Sequence, residues 1–297
     1  MMKNKPGFSQ RHPFVFGFIL IIAAVVLITG AMAVFHWWRS GQLAFGQERI
    51  GVVHVQGTIT SARKVTAWID RLHRDESVRG LIVRINSPGG VVAPAQEIHA
   101  ALEKVAPDKP VVASMGSVAA SGGYYIACGA DRIVANPGTI TGSIGVKAKL
   151  ASFQELMDKV GISDQTVASG ELKDAGSPSH PLTPKERAYF QNLVDDLYDQ
   201  FVKAVALGRG LDVDQVRSLA DGRAYTGLQA KGLGLVDILG GMDRAVDEVR
   251  SMAGIRDRVA LVEGPKEEWS LWSFVFGQSR EPDISLWSGQ DWQFRYE

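Results

Sequence analysis

Residues 80–85 read Gly-Leu-Ile-Val-Arg-Ile and run directly into Asn86-Ser87-Pro88-Gly89-Gly90. Four apolar residues in six, three of them β-branched, followed by Pro-Gly-Gly, predict a buried strand ended by a tight turn. Such a turn exposes backbone N–H groups at the carboxyl end of a strand, where α/β sheets build their ligand crevices. The same alternation extends outward on both sides. Upstream, residues 50–56 (IGVVHVQ) predict a strand, and Val65, Trp68, Ile69 and Leu72 give residues 62–74 a helical period. Downstream, residues 95–105 predict an amphipathic helix, 110–115 (PVVASM) a strand, 122–128 a helix and 132–135 a strand. Strands separated by helices of this length require crossover connections, so the expected fold is α/β with a parallel sheet.

A helical section is expected next. Thr183 precedes Pro184, and Glu186 stands three residues after Thr183, the pattern of a capped helix start. This helix should run to about residue 207, with Gly208 and Gly210 closing it, and shorter helices should follow near 212–220 and 242–252.

The chain has 297 residues, 32 Lys+Arg against 32 Asp+Glu, and 45% hydrophobic residues. That balance excludes a basic nucleic-acid binder and a disordered acidic chain, so no nucleic-acid partner is expected. The single cysteine, Cys128, excludes an intrachain disulfide and a cysteine-based metal site. The charge is unevenly placed. Residues 14–35 contain 22 residues without a charge, and at about 1.5 Å per residue they span a hydrocarbon core of roughly 30 Å. Lys3, Lys5 and Arg11 precede this run, and Trp37, Trp38 and Arg39 end it, which favours a cytoplasmic N-terminus. The alternative is a cleavable signal peptide ending near Ala31-Met32-Ala33, although the apolar run exceeds the usual length. Five regions are therefore expected: a cytoplasmic N-terminus (1–13), a lipid-embedded anchor (14–38), a linker (39–49), a soluble body (50–255) and a Trp-rich extension (256–297). The extension carries Trp269, Trp272, Trp287 and Trp292 without a sustained period. It reads as an interfacial or partner-binding tail, or as an extension wrapping back on the body.

The chemistry gathers between residues 86 and 173. Ser121 follows an apolar strand, opens a helix, and is flanked by Ala119, Ala120, Gly122 and Gly123. Small neighbours admit a substrate carbonyl, and the Gly122 N–H at the helix start can stabilise negative charge. The structural alternative is that Ser121 merely caps the helix. A nucleophilic serine needs a base. His12 and His36 flank the apolar run, His54 lies in a strand, His73 and His99 lie on helices, and only His180 follows Ser121. A lysine can serve where burial and neighbouring dipoles leave its amine neutral. Lys173 lies in the small-residue segment Ala168-Ser169-Gly170-Glu171-Leu172-Lys173-Asp174-Ala175-Gly176-Ser177-Pro178, but residue type alone does not separate it from Lys147 or Lys149.

Four motifs in order, Asn86-Ser87-Pro88-Gly89-Gly90, Met115-Gly116 through Ser121-Gly122-Gly123-Tyr124-Tyr125, Thr141-Gly142-Ser143-Ile144-Gly145-Val146, and residues 170–178, resemble the signal peptide peptidase A family. The resemblance covers residues 50–255. It implies a ClpP/crotonase-like fold of repeated ββα units with a helical C-terminal part, preceded by one transmembrane helix. It implies a membrane serine endopeptidase with Ser121 as nucleophile, Lys173 as general base, Gly90 and Gly122 as oxyanion donors, and Ser143 orienting the lysine. Peptide substrates, remnant signal peptides among them, a homo-oligomeric ring and a site on the periplasmic side of a bacterial inner membrane follow from the same resemblance, with no metal or organic cofactor required. Two other readings stay open on the residues alone: a crotonase-like acyl-CoA enzyme, and a catalytically silent membrane scaffold.

Overall fold

A computed structural model describes residues 12–39, 48–265 and 294–296. The chain divides between residues 47 and 48 into two compact units. The described part of the first is one helix, α1 (Pro13–Arg39). Its stretch Pro13–Phe35 is long and apolar enough to cross a membrane, and its apolar side chains are exposed.

The second unit contains, in chain order, β1 (Arg49–Gln56), α2 (Arg63–Arg74), β2 (Val78–Ser87), β3 (Gly90–Val91), α3 (Val92–Val105), β4 (Val111–Ala120), α4 (Gly122–Ala127), β5 (Arg132–Ala135), β6 (Ile140–Gly142), β7 (Lys147–Ala148) and α5 (Gln154–Val160). There follow α6 (Pro184–Arg209), α7 (Val213–Leu219), β8 (Ala224–Thr226), α8 (Gly227–Gly232), β9 (Ile238–Leu239), α9 (Met242–Ala253), β10 (Ala260–Gly264) and β11 (Phe294–Tyr296). The main sheet has the order β10-β1-β2-β4-β5-β9, with every neighbouring pair parallel. β6 adds to β4 in parallel, and β8 pairs with β6 antiparallel.

The sheet is buried on both faces, as parallel sheets with crossover helices are. Because side chains alternate along a strand, Val53, Val83, Ala113 and Ile133 point to one face, with α2, α3, α4 and α6. Ile50, Ile82, Val112 and Val134 point to the other, where Ala245 and Val249 of α9 cover them. α2 contributes Ile69 and Leu72, and its Trp68 indole donates to the Val52 carbonyl at 3.0 Å.

The expected parallel α/β architecture is found, with the strands and helices from 50 to 135 close to their predicted bounds. The capping box at Thr183 is also present: Glu186 N–H donates to the Thr183 hydroxyl, and the Thr183 N–H donates to Glu186. α6 runs through Gly208 and ends at Gly210, whose φ of 62° makes it the left-handed C-cap. Two differences bear on the site. β4 continues five residues past Met115, so it delivers Ser121 directly from its end. The section read as helical also contributes β8 and β9 to the main sheet, and the start of the region read as the extension contributes β10. The four tryptophans of the extension lie outside the described residues.

Candidate active site

β2 ends at Ser87, and the turn Pro88-Gly89 leads into β3. The Ser87 hydroxyl, fully buried, accepts from the Gly89 N–H at 3.1 Å. Ile59 grips the turn from the other side: its N–H donates to the Gly89 carbonyl at 2.9 Å, and its carbonyl accepts from Val91 at 2.7 Å. A Cβ on Gly90 would stand 2.2 Å from the Ile59 carbonyl oxygen, so only glycine fits against that strand of backbone.

β4 crosses beside this turn with an irregularity. Ile85 pairs with Met115 but Ser87 pairs with Ala119, so residues 116–118 bulge out of the β2 ladder. Asn86 fills the gap, its side-chain oxygen accepting the Val118 N–H at 3.2 Å. Two buried threonines hold the far half of β4 to β6 and the turn before it. Thr139 Oγ1 donates to the Gly116 carbonyl and Thr141 Oγ1 to the Ala119 carbonyl, each at 2.7 Å. Sequence reasoning missed Thr139 and gave Thr141 no role beyond its place in a motif; the only available signal was a threonine pair around Ile140 between two glycines, which is weak.

Ser121 then sits at the strand–helix junction with φ 52° and ψ −115°, a conformation that a non-glycine residue holds only when its surroundings enforce it. The enforcement comes from both sides: the Ser121 N–H donates to the Gly142 carbonyl at 2.8 Å, and the Ser121 carbonyl accepts from Tyr125 at 2.8 Å. Its side chain makes no cap hydrogen bond, so the helix-capping alternative fails. The hydroxyl is fully buried with no hydrogen-bond partner among the described residues. A purely structural serine in such a place would leave its hydroxyl satisfied.

Gly122 opens α4, where its N–H has no intrahelical acceptor. The Gly90 amide nitrogen lies 3.3 Å from where a Cβ on Gly122 would stand, and the Gly122 nitrogen lies 2.9 Å from where one on Gly89 would stand. Ser121, Gly90 and Gly122 are thus brought together from three different elements.

Ser143 shares the unusual backbone, with φ 50°, and its hydroxyl donates to the Gly222 carbonyl at 3.2 Å. It is joined to Ser121 through the intervening Gly142. Lys173 is not brought to this cluster: it is exposed, in the turn before Ala175, and its amine makes no hydrogen bond or ion pair among the described residues. His180 is held elsewhere, with Nδ1 3.0 Å from the Pro181 carbonyl and Nε2 3.5 Å from Asp174 and 4.0 Å from Glu186. Cys128 is buried, and desolvation pushes its thiol up to about 12, which keeps it protonated and unreactive.

Comparison with known proteins gives this geometry its context. The profile of peptidase family S49 matches residues 103–256, and that of Clp protease matches residues 40–139. A protein of Synechocystis sp. named as a protease is 43% identical over 224 residues, covering 74% of this chain and 81% of its own length. One of Enterococcus faecium named as signal peptide peptidase SppA is 39% identical, covering 65% of this chain and 56% of itself. The chloroplastic serine protease SPPA of Arabidopsis thaliana is 32% identical, covering 81% of this chain and 38% of itself. These likenesses decide between a peptidase and the acyl-CoA and scaffold alternatives, and they agree with the ClpP-like α/β core. With its unsatisfied serine on an enforced strand–helix junction, the chain belongs to peptidase family S49 and is a serine peptidase of the signal peptide peptidase A kind.

Proposed function

We propose that Ser121 is the nucleophile, that Lys173 of a second copy of the chain is its general base, and that the Gly90 and Gly122 N–H groups form the oxyanion hole. The observation that carries the reading is the Ser121 hydroxyl, buried and without a partner beside those two amides. Neutral Lys173 takes the Oγ proton as Oγ attacks the peptide carbonyl carbon, and the two N–H groups stabilise the oxyanion. The lysine returns that proton to the departing amine. It then takes a proton from water, whose oxygen attacks the acyl-enzyme ester, and gives that proton to the departing Ser121 Oγ, which releases the acid and restores the neutral amine.

Delivery of the lysine by a second copy explains why it stands exposed while Ser121 lacks any partner. It is supported by the segment that leads to Lys173. α5 has no buried residue, and Phe153, Leu156, Val160, Ile162 and Val167 along this segment all expose their side chains. So much apolar surface on a short arm fits an interface that a neighbouring copy covers. Ser143 of that reading holds the incoming amine. α1 supports a single-pass anchor, which would hold the site near a membrane surface on the periplasmic side and suits remnant signal peptides as substrates.

Mixing chains carrying Ser121→Ala with chains carrying Lys173→Ala tests it. Each alone should be inactive on a peptide substrate, and mixed oligomers should recover part of the activity. Mixed oligomers shown to have formed, yet inactive, would exclude the shared site; activity in Ser121→Ala alone would exclude the nucleophile.

A further inference from the structure

The bulge in β4 changes the register between β2 and β4. Before it, Ile85 pairs with Met115, 30 residues on; after it, Ser87 pairs with Ala119, 32 residues on. The bulge therefore takes up two residues. Continued unbroken, the first register would set Ser121 level with Val91, whereas the second sets it level with Gly89. At about 3.3 Å per residue, the two placements differ by about 7 Å along the sheet. The second is the one found: a Cβ on Gly89 would stand 3.1 Å from Ser121 Cβ and 2.9 Å from the Gly122 nitrogen. Because an even number of residues is taken up, every side chain beyond the bulge keeps its face of the sheet.

This register matters to the chemistry because the two candidate oxyanion donors come from different strands. Gly90 follows the turn after β2, while Ser121 and Gly122 follow β4. Their mutual distances are set by how far β4 has advanced against β2.

A bulge takes backbone groups off the ladder, and each must find another partner. Here the bulge falls where β4 also changes neighbours on its other edge, from β5 as far as Ser114 to β6 from Val118. Side chains grip its two rims. At the first, Arg84 Nη1 donates to the Met115 carbonyl at 3.1 Å and to the Ser114 hydroxyl at 2.8 Å. At the second, Asn86 Oδ1 accepts the Val118 N–H at 3.2 Å. Arg84 and Asn86 stand two apart on β2, so both lie on one face of the sheet. Gly116 leaves room for the clamp, since a Cβ there would stand 3.0 Å from Asn86 Oδ1 and 3.2 Å from Asn86 Cβ. Asn86 is exposed, so its side chain adds little burial to the core, and what it contributes is this bond.

We propose that Asn86, assisted by Arg84, is a positioning residue for the peptidase reaction. By clamping the bulge it holds β4 in the register that sets Ser121 and the Gly122 amide against the Gly90 amide. The proposal rests on the reading of Ser121 as nucleophile and of the two glycines as oxyanion donors. Without the acceptor, the Val118 N–H is released from β2, the bulge relaxes, and Ser121 drifts along the strand away from an amide that stays with the β2 turn.

The test uses the full chain in detergent and a fluorogenic peptide substrate, with rates taken per folded molecule. Asn86→Leu keeps the size of the side chain and removes the acceptor. Its kcat should fall about tenfold, the worth of one hydrogen bond, with KM within about twofold, because the bond serves the reacting geometry and not substrate affinity. Asn86→Asp, whose carboxylate still accepts the Val118 N–H, should recover most of the lost rate. Arg84→Met, which frees the Met115 carbonyl at the other rim, should lower kcat in the same way. An Asn86→Leu chain with unchanged kcat, or with its loss carried by KM or by the yield of folded chain alone, overturns the proposal. So does an Asn86→Asp chain as slow as Asn86→Leu, since the acceptor would then be immaterial. Failure of the serine reading shows separately, as turnover of the same peptide by the Ser121→Ala chain.

Discussion

The backbone amide of Ser121 donates to the carbonyl of Gly142 at 2.8 Å, which ties the candidate nucleophile to the end of β6 by the same bond that continues the β4–β6 ladder. Gly142 has φ 73°, and a Cβ there would stand 2.6 Å from Tyr225 Cδ2. Gly142→Ala should therefore displace the carbonyl that anchors Ser121. A displacement near 1 Å at a reacting group costs about 10²-fold in rate, so kcat/KM on a peptide substrate should fall by that order with the far-ultraviolet circular dichroism unchanged. Gly138→Ala, with open space around the added methyl, should leave kcat/KM alone.

Gly90 and Gly122 should respond differently to alanine, although both are assigned the same role. The methyl of Gly90→Ala would meet the Ile59 backbone at 2.2 Å, whereas that of Gly122→Ala meets its nearest neighbours at 3.3–3.4 Å. Gly90→Ala should lose both stability, by about 1–3 kcal/mol, and activity, by about 10²- to 10³-fold. Gly122→Ala should keep its melting temperature and lose activity by crowding the Gly90 amide. Thermal melts beside initial rates separate the two; equal melting losses would contradict the difference in packing.

Gly208 offers a test of stability away from the chemistry. A Cβ there would stand 2.2 Å from the Cys128 carbonyl oxygen, where α6 packs on the end of α4. Gly208→Ala should cost about 1–3 kcal/mol through overpacking, a fall in Tm of roughly 2–10 °C for a body of this size. Labelling of Ser121 by a serine-reactive probe, per folded molecule, should stay at the level of the unsubstituted chain.

The loop bearing Lys173 should respond to pH through His180. The hydrogen bond to the Pro181 carbonyl, together with Glu186 and Asp174, raises the imidazole pKa above its ordinary value. A raised folded-state pKa means that the imidazolium contributes fully below about pH 6.5, the unfolded value, and that this contribution disappears as pH rises through the folded value. Backbone hydrogen exchange across residues 174–183, corrected for its intrinsic pH dependence, should accelerate over that window. His180→Gln should abolish the change; a profile identical in both chains would contradict the assignment.

Much of the fold was legible because its strands are long apolar runs. Residues 50–56 and 80–85 carry enough β-branched residues to declare themselves, and Thr183, Pro184 and Glu186 spell a capped helix start in local chemistry alone. β6 to β9 and β11 have two or three residues each, too few for a period, and exist because the main chain finds partners far away in sequence. Ser121 was legible as a small-residue junction after an apolar strand, but its buried, unpartnered hydroxyl depends on Gly142 and Tyr125 fixing the backbone. Lys173 was separable from Lys147 and Lys149 only by resemblance, and the single chain still leaves it exposed.

Every strand from β1 to β5 in the main sheet runs the same way, so the sheet has a chemical pole and a mechanical pole. Ser87, Ala120 and the turns after them lie at one end; Arg49, Val78, Val111 and Arg132 begin their strands at the other. A saturation scan of this protein should therefore sort by latitude. Substitutions near the starting ends will be felt as lost yield of folded chain, and those near the finishing ends as folded chain that turns over slowly.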